Sequence, residues 1–405
     1  MGEISMEIET VETGEDLNLS EITTSGVENE ENLVVQEEIV NQYPSLFTSR
    51  TLIELSNSSW SRHKRANQHV QPYLRGCKWS PDGTCCLSVV NNDGVHVTEL
   101  SRDLYTGNVA ADRIIDVMDS VIHVKETGLI YDFCWFPLMN SAVPESCCWL
   151  TTRQNAPVQM WDAFDGSLRC SYRGFDHVDQ MEPAISVTFT IDGDKIIAGY
   201  KKFIRTFDVE RPGRDFAEHK IQSPQFCIVS LLKTFLLLIS GGVTQVKFAP
   251  DGLRLVSGAR KDHRLLVWDI RYYRRPLNIL SRVVDTNQRV YFDISPCGRH
   301  LVTGGTDGVL KKYGRRRGFP LHKDCCNSIS IHPLRPILTI TDGVTPMTTA
   351  ERNSDIVYDN NTTTVEKESD DTDNETEQSE NDWDAKYSEK SENSLVFWWI
   401  GEVSE

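Results

Sequence analysis

The stretch VTQVKFAPDGLRLVSGARKDHRLLVWDIRYYRR, Val243 to Arg275, decides the fold. It holds three short apolar runs, one ending at Phe248, one from Leu253 to Ser257 and one from Leu265 to Ile270. Pro250-Asp251-Gly252 and Arg260-Lys261-Asp262 separate them. Proline fixes φ and supplies no ladder donor, aspartate caps its own turn, and glycine accepts the positive φ that closes it. The runs therefore read as three strands of one antiparallel meander. Val, Leu, Phe and Trp fall on both faces, which suits a sheet packed between two neighbouring sheets. The closing Trp268-Asp269 is the dipeptide of a WD-type β-propeller blade. One blade cannot bury both its faces, so the stretch predicts copies of itself.

The copies are present. CKWSPDGTCCLSVVNNDGVHVTEL, Cys77 to Leu100, repeats the strand, Pro-Asp-Gly turn, strand, turn, strand order. A second copy starts at YDFCWFPLMN, Tyr131 to Asn140, and closes at Trp161-Asp162. A third runs from Ile185 to Asp208, and after the reference blade comes another from Gln288 to Gly314. The last begins at Cys326 and finishes far downstream at SLVFWWI, Ser394 to Ile400. The predicted fold is an all-β WD-repeat β-propeller with six visible blades over 73–400, and a seventh truncated near 214–242. In that interval PQFCIVSLLKTFLLLIS lacks turn residues and alternation, being too apolar for a loop and too irregular for a blade. It is either an atypical blade or the remnant of one partly missing from the sequence, and the second account is preferred; a missing blade puts closure of the ring in question there.

A propeller uses about 40 to 45 residues per blade, so 405 residues do not require several domains. The net charge of −17 hides a division. Residues 1–49 carry 12 acids and no Lys or Arg, and 351–392 carry 15 acids against 4 bases. With Glu402 and Glu405 also set aside, the body has 30 acids and 38 bases, a net +8. The expected organisation is an acidic disordered tail at 1–45, a basic lead-in at 46–72, and an acidic disordered insertion at 341–393 within the last blade. In the lead-in, Trp60, Arg62, His63, Lys64 and Arg65 read as a solvated approach to the fold or as an RNA-contacting arm.

No charged n-region opens the chain, so no secretory signal is expected. The longest apolar run, Phe226 to Ile239, is broken by Lys233 and too short to span a bilayer, so no membrane partner is expected. Eleven cysteines, several in adjacent pairs such as Cys85-Cys86, lack metal-ligand spacing and read as buried thiols in a reducing compartment, with no disulfide and no metal. No nucleophile elbow, phosphate loop or zinc-protease motif is present, so neither an enzyme nor a cofactor nor a small-molecule substrate is expected.

Several strings exceed what the fold requires: YLRGCKWSPDG at Tyr73 to Gly83, IYDFCWFPLMNSA at Ile130 to Ala142, MWDAFDGSLRCSYRGFDHVDQ at Met160 to Gln180, VERPGRD at Val209 to Asp215, SGARKDHRLLVWDIR at Ser257 to Arg271, and TNQRVYFDISPCGRHLVTGG at Thr286 to Gly305. Together they resemble the telomerase Cajal body protein family, from about Tyr73 to His332 and again at Trp398-Trp399. The resemblance implies a nuclear, non-enzymatic RNA-binding scaffold that recognises the CAB-box element of small Cajal-body RNAs and, where present, telomerase RNA. It also implies ribonucleoprotein partners of the dyskerin type, a chaperonin for folding, and residence in Cajal bodies. The competing reading, from fold class alone, is a WD-repeat protein–protein adaptor such as a substrate receptor.

Reading a short unpaired RNA element needs cations for phosphates and flat groups for base stacking. The candidate RNA-binding residues are Arg260, Lys261, Arg264, Arg271, Arg289, Lys311, Lys312, Arg315, Arg316 and Arg317. Arg271 has an equally good alternative as the partner of a carboxylate in the adjoining blade. Tyr131, Tyr200, Tyr272 and Tyr273 are candidate stacking groups or interblade core. Trp79, Asp82, Trp161, Asp162, Asp251, Asp262, Trp268 and Asp269 read as structural, as does His332 in a turn before Pro333.

Overall fold

The computed structural model describes residues 43–48, 52–59, 73–106, 109–110, 113–126, 128–176, 178–201, 203–220, 242–272, 274–314, 317–343 and 393–403. Among these there is no α-helix, only strands and two short 3-10 turns. The strands form six sheets arranged as the blades of a β-propeller.

The first strand in the chain, β1 (Ile53–Ser59), belongs to the last blade. The first blade is β2 (Leu74–Trp79), β3 (Cys85–Val90) and β4 (Gly94–Glu99), finished on its outer side by β6 (Ile122–Val124). A two-residue β5 (Asp116–Val117) lies parallel to β1 instead. The second blade is β7 (Ile130–Trp135), β8 (Cys148–Arg153), β9 (Val158–Asp162) and β10 (Leu168–Tyr172). The third is β11 (Ser186–Phe189), β12 (Lys195–Gly199), β13 (Phe203–Asp208) and β14 (Ala217–Lys220). The fourth, the reference meander, is β15 (Val243–Phe248), β16 (Arg254–Ala259), β17 (Arg264–Asp269) and β18 (Asn278–Ser281). The fifth is β19 (Phe292–Ile294), β20 (Leu301–Thr303), β21 (Val309–Tyr313) and β22 (Arg317–Pro320).

The sixth blade carries the ring closure. Its inner strands are β23 (Cys326–Ile331) and β24 (Ile337–Asp342), and β24 pairs with β25 (Ser394–Trp399), Ile337 opposite Trp399. The split blade read from the sequence is thus one sheet, although its second strand runs to Asp342, past the expected insertion boundary at 341. Strand β1 then pairs antiparallel with β25, Ile53 opposite Trp399 and Ser59 opposite Ser394. This differs from the expected lead-in at 46–72, because the propeller begins well before residue 73. Leu55 is fully buried in the core with Leu395 and Phe397, while Leu46 and Phe47 pack beside Val302, Leu310 and Phe319. Trp60 to Arg65 lie outside the described residues.

Two aspartates on innermost strands each tie their own blade to both of its neighbours. Asp132 on β7 accepts the Val187 amide of the third blade at 3.1 Å and faces the Lys78 ammonium of the first at 3.8 Å. Asp293 on β19 accepts the Ile331 amide of the sixth blade at 2.8 Å and pairs with Lys247 of the fourth. Such charge-assisted bonds, accepted by carboxylates that are themselves largely buried, fix the rotation of one sheet on the next.

The interval read as a truncated seventh blade, 214–242, divides in two. Ala217–Lys220 form the fourth strand of the third blade, and 221–241 lie outside the described residues. The fourth blade reflects that junction. Gln245 and Lys247 face the fifth blade, so alternation turns Val246 and Phe248 to the opposite face, where they are 47% and 57% exposed. Register puts Leu255, Leu266, Trp268 and Ile279 on that same apolar face.

Candidate nucleic-acid interface

The antiparallel register sorts the connections into two ends. One end carries the turns between second and third strands of each blade and the links from blade to blade. The other carries the turns between first and second and between third and fourth strands. All six blades contribute to a cavity of about 790 Å³ at the first end, the mouth of the central channel. That size suits a small number of unstacked bases or a short peptide turn.

Five cations line this mouth, Arg75, Lys201, Arg260, Lys261 and Arg289, against two carboxylates, Glu182 and Asp285. Glu182 pairs with Arg205 at 3.3 Å, and Asp285 lies 3.2 Å from the His263 imidazole. Arg260 and Lys201 are exposed, on turns after second strands. Lys261 is held at φ 48°, a left-handed position that its b–c turn imposes. Arg289 is committed in part: its guanidinium donates to the Tyr291 hydroxyl at 3.0 Å and reaches Asp132 at 3.5 Å, linking the fifth blade to the second. Flat and amide groups interleave with the charges. Tyr73, Tyr131 and Tyr291 line the wall, and Gln154, Asn155 and Asn287 stand at exposed turn positions.

The WD domain, G-beta repeat family matches residues 233–269, which covers the first three strands of the fourth blade. The Telomerase Cajal body protein 1 homolog of Drosophila melanogaster is 39% identical over 389 residues, covering 87% of this chain and 69% of that protein. The chain belongs to the telomerase Cajal body protein family. The mouse Telomerase Cajal body protein 1 is 33% identical over 377 residues, covering 82% of this chain and 69% of that protein. The human one is 34% identical over 329 residues, covering 71% and 59%.

In this member of the telomerase Cajal body protein family the ten cations singled out from sequence do not form one patch. Arg260, Lys261 and Arg289 meet at the mouth. Arg264 stands at the same end but its guanidinium is bound to Asp262, at 3.0 and 3.3 Å. Arg271 lies at the opposite end and forks onto Asp269 of its own blade, at 3.0 and 2.8 Å. Lys312 is buried, its ammonium 4.9 Å from the centre of the Phe47 ring, and Lys311 lies mid-strand beside it. Arg317 is exposed where β22 begins, and Arg315 and Arg316 lie outside the described residues. Of the tyrosines, Tyr131 lines the mouth, Tyr200 is buried under the Arg205 guanidinium at 4.4 Å, Tyr272 is exposed at the opposite end, and Tyr273 is not described.

The carboxylates read as structural act locally. Asp82, Asp251, Asp262 and Asp269 each accept the amide two residues on, at 2.9 to 3.1 Å. Burial works against the Asp82 carboxylate, yet hydrogen bonds from Ser141, Ser80 and Thr84 hold its pKa below the usual range. Asp162 accepts from Phe164 at 2.8 Å and binds Arg169. Trp161 donates to Thr151 at 2.9 Å, Trp268 to Ser257 at 3.0 Å, and Trp79 packs between His332 and Phe397.

Arg75 and Lys201 are absent from the sequence-derived set, which draws only on the reference blade and the blade after it, although Lys201 is followed directly by Lys202. Their signal is position in the repeat: Arg75 occupies the place in β2 that Tyr131 holds in β7, and Lys201 follows β12 as Arg260 follows β16. The fully buried Arg282 was also missed. It donates to the carbonyls of Ala259 and Val290, both at 2.9 Å, and burial brings its pKa down to about 10.

Proposed function

We propose that this chain is a non-enzymatic RNA-binding scaffold that reads a short unpaired element, the CAB box of small Cajal-body RNAs, at the mouth of its propeller. The observation that carries the reading is the set of five cations interleaved with Tyr73, Tyr131 and Tyr291 around one opening. Phosphates seek the cations, and unstacked bases seek the half-buried Tyr131 ring and the exposed amides, while Tyr73 and Tyr291 are buried in the wall. In this reading the protein brings small Cajal-body ribonucleoproteins, and telomerase RNA where it exists, to nuclear Cajal bodies. Dyskerin-type ribonucleoprotein components are its protein partners, and a chaperonin assists its folding. The relatives' names, which couple telomerase and the Cajal body, agree with this assignment.

The test is binding of a CAB-box stem-loop against a scrambled loop of the same length, over a salt series. The expected result is tighter binding of the CAB-box loop and a linear fall of log affinity with log salt. Equal affinity for both loops would remove the sequence-specific claim. Crosslinking in cells that recovers proteins but no RNA would favour the protein–protein adaptor instead.

A further inference from the structure

The turn between β3 and β4 carries Asp93, flanked by Asn92 at φ 60° and Gly94 at φ 117°. The turn is tight because a Cβ on Gly94 would meet the Val124 carbonyl oxygen at 2.1 Å and the Glu126 nitrogen at 2.6 Å. Three residues on, His96 faces into the blade, and the pairing of β4 with β6 sets His123 directly opposite it. The two imidazoles stack, centroids 4.1 Å apart and planes 11° from parallel. Both rings turn Nε2 toward the same carboxylate: His96 Nε2 is 3.1 Å from Asp93 Oδ2, and His123 Nε2 is 3.6 Å from Asp93 Oδ1. His123 Nε2 also lies 2.9 Å from the Asp93 carbonyl oxygen.

We propose that Asp93, His96 and His123 form a three-ligand site for a borderline divalent cation of the zinc type. Donor atoms bound at about 2.0–2.1 Å to one tetrahedral ion stand roughly 3.3–3.5 Å from one another. The carboxylate-to-imidazole spacings of 3.1 and 3.6 Å bracket that value, and all the donor atoms lie within 4.8 Å of one another. Because the planes are only 11° from parallel, both rings must rotate out of their stack to bring the two nitrogens onto one centre. The Ser120 hydroxyl lies 3.1 Å from His96 Nδ1, where it fixes the ring as an outer-shell partner does for a metal-bound imidazole. Two nitrogens and one carboxylate suit zinc, cobalt or nickel, and not calcium or magnesium, which require more oxygen ligands. His96 is buried, while the Asp93 and His123 side chains are 18% and 34% exposed, so an ion enters from solvent and water completes its shell. The bound ion clamps the three-residue β6 onto the turn of the first blade. Cysteine spacing could not reveal this site, because the two histidines meet only through the β4–β6 pairing.

The test uses the full chain, stripped with chelator and kept reduced, titrated with cobalt(II) as a visible probe and then with zinc(II). The expected result is one cobalt per chain with a d–d band free of thiolate charge transfer, displaced by zinc, and a higher Tm with metal bound. His123→Gln and Asp93→Asn should fold with an unchanged circular-dichroism spectrum and weaken binding at least tenfold. Ser120→Ala should weaken it about tenfold. The proposal is overturned if the wild-type chain binds no stoichiometric cobalt, if the band survives both substitutions, or if the band carries thiolate character, which would place the ion on cysteine.

Discussion

The His332 imidazole donates from Nε2 to the carbonyl oxygen of Gly83, 2.8 Å away, across the seam where the sixth blade meets the first. Its Nδ1 accepts the amides of Leu334 and Arg335, both at 3.0 Å, so the ring is held neutral in one tautomer. Burial is the main cause that brings its pKa down to about 4. The His300 imidazole is likewise lowered to about 4, by burial and by Lys312 and Arg299. A folded-state pKa below the unfolded value of about 6.5 means the unfolded chain binds more protons between the two. Stability from His332 is therefore complete above about pH 6.5 and is lost as pH falls toward 4, by about 3 kcal/mol. His332→Asn should reduce the proton uptake on unfolding in that window by about one proton, measured as the slope of unfolding free energy against pH.

The same contact makes Gly83 a sensitive position. A Cβ there would stand 2.3 Å from the His332 ring, whereas a Cβ on Gly252, at the equivalent turn of the fourth blade, meets nothing within 4 Å. Both glycines have similar φ, 73° and 67°. Gly252→Ala should cost about 1–2 kcal/mol for the left-handed backbone alone. Gly83→Ala should cost clearly more, and equal losses in chemical denaturation would refute the steric account of the seam.

Glu126 is 3% exposed, and neither carboxylate oxygen has a hydrogen-bond partner among the described residues; the Arg153 guanidinium stands 3.5 Å away. Burial outweighs that arginine and raises the carboxyl pKa to about 6. Here the folded chain binds the extra proton, so stability increases as pH falls from above 6 to below the unfolded value. Glu126→Gln should stabilise the protein at pH 7 by about 2 kcal/mol and lose that advantage near pH 4.5. Paired thermal melts at the two pH values read this directly.

Trp268 is fully buried on the fourth blade, packed with Leu255 and Leu266. Trp268→Ala should destabilise by about 3–5 kcal/mol through the cavity it leaves. Trp268→Phe should cost less, most of it the lost bond to Ser257, about 1 kcal/mol. Urea denaturation of both variants checks the order.

At the channel mouth, Lys201→Ala with Arg260→Ala should leave the Tm unchanged, weaken RNA binding and reduce the log–log salt slope by about 1.4, the value for two phosphates of a single strand. Arg289→Ala should instead lower the Tm, because that guanidinium bonds Tyr291 and reaches Asp132. Arg271→Ala, at the far end, should leave RNA affinity as it was. An affinity loss at Arg271 equal to that at the mouth would move the interface to the other end.

The blades were legible because each announces itself locally. Asp82-Gly83 and Asp251-Gly252 turns, and closes such as Trp268-Asp269, sit between runs short enough to be strands. Strand β1 was not legible, since IELSNSS has no turn of its own and its partner lies almost the whole chain away. The mouth was legible only in the reference blade and the one after it. Arg260, Lys261 and Arg289 stood out there, whereas Arg75 and Lys201 lie in other blades and reach the mouth only through the ring. Conversely, Lys312 looked available beside Lys311, yet strand alternation buries one of the two. Charge read along a strand carries no information on facing until register is fixed.

Joining β1 to β25 also sets a timetable. Ile53 leaves the ribosome long before its partner Trp399. At about 5–20 residues per second, that gap is on the order of tens of seconds. Until β25 is made, β24 has a bare edge, and Leu55 can settle against Leu74 and Trp79 of the first blade but lacks Leu395 and Phe397. Blades one to five can collapse on neighbours made just before them, but the circle itself can form only once β25 has been made. A chain stopped anywhere short of Ser394 is therefore an open arc with two unpaired strand edges, the form most exposed to aggregation.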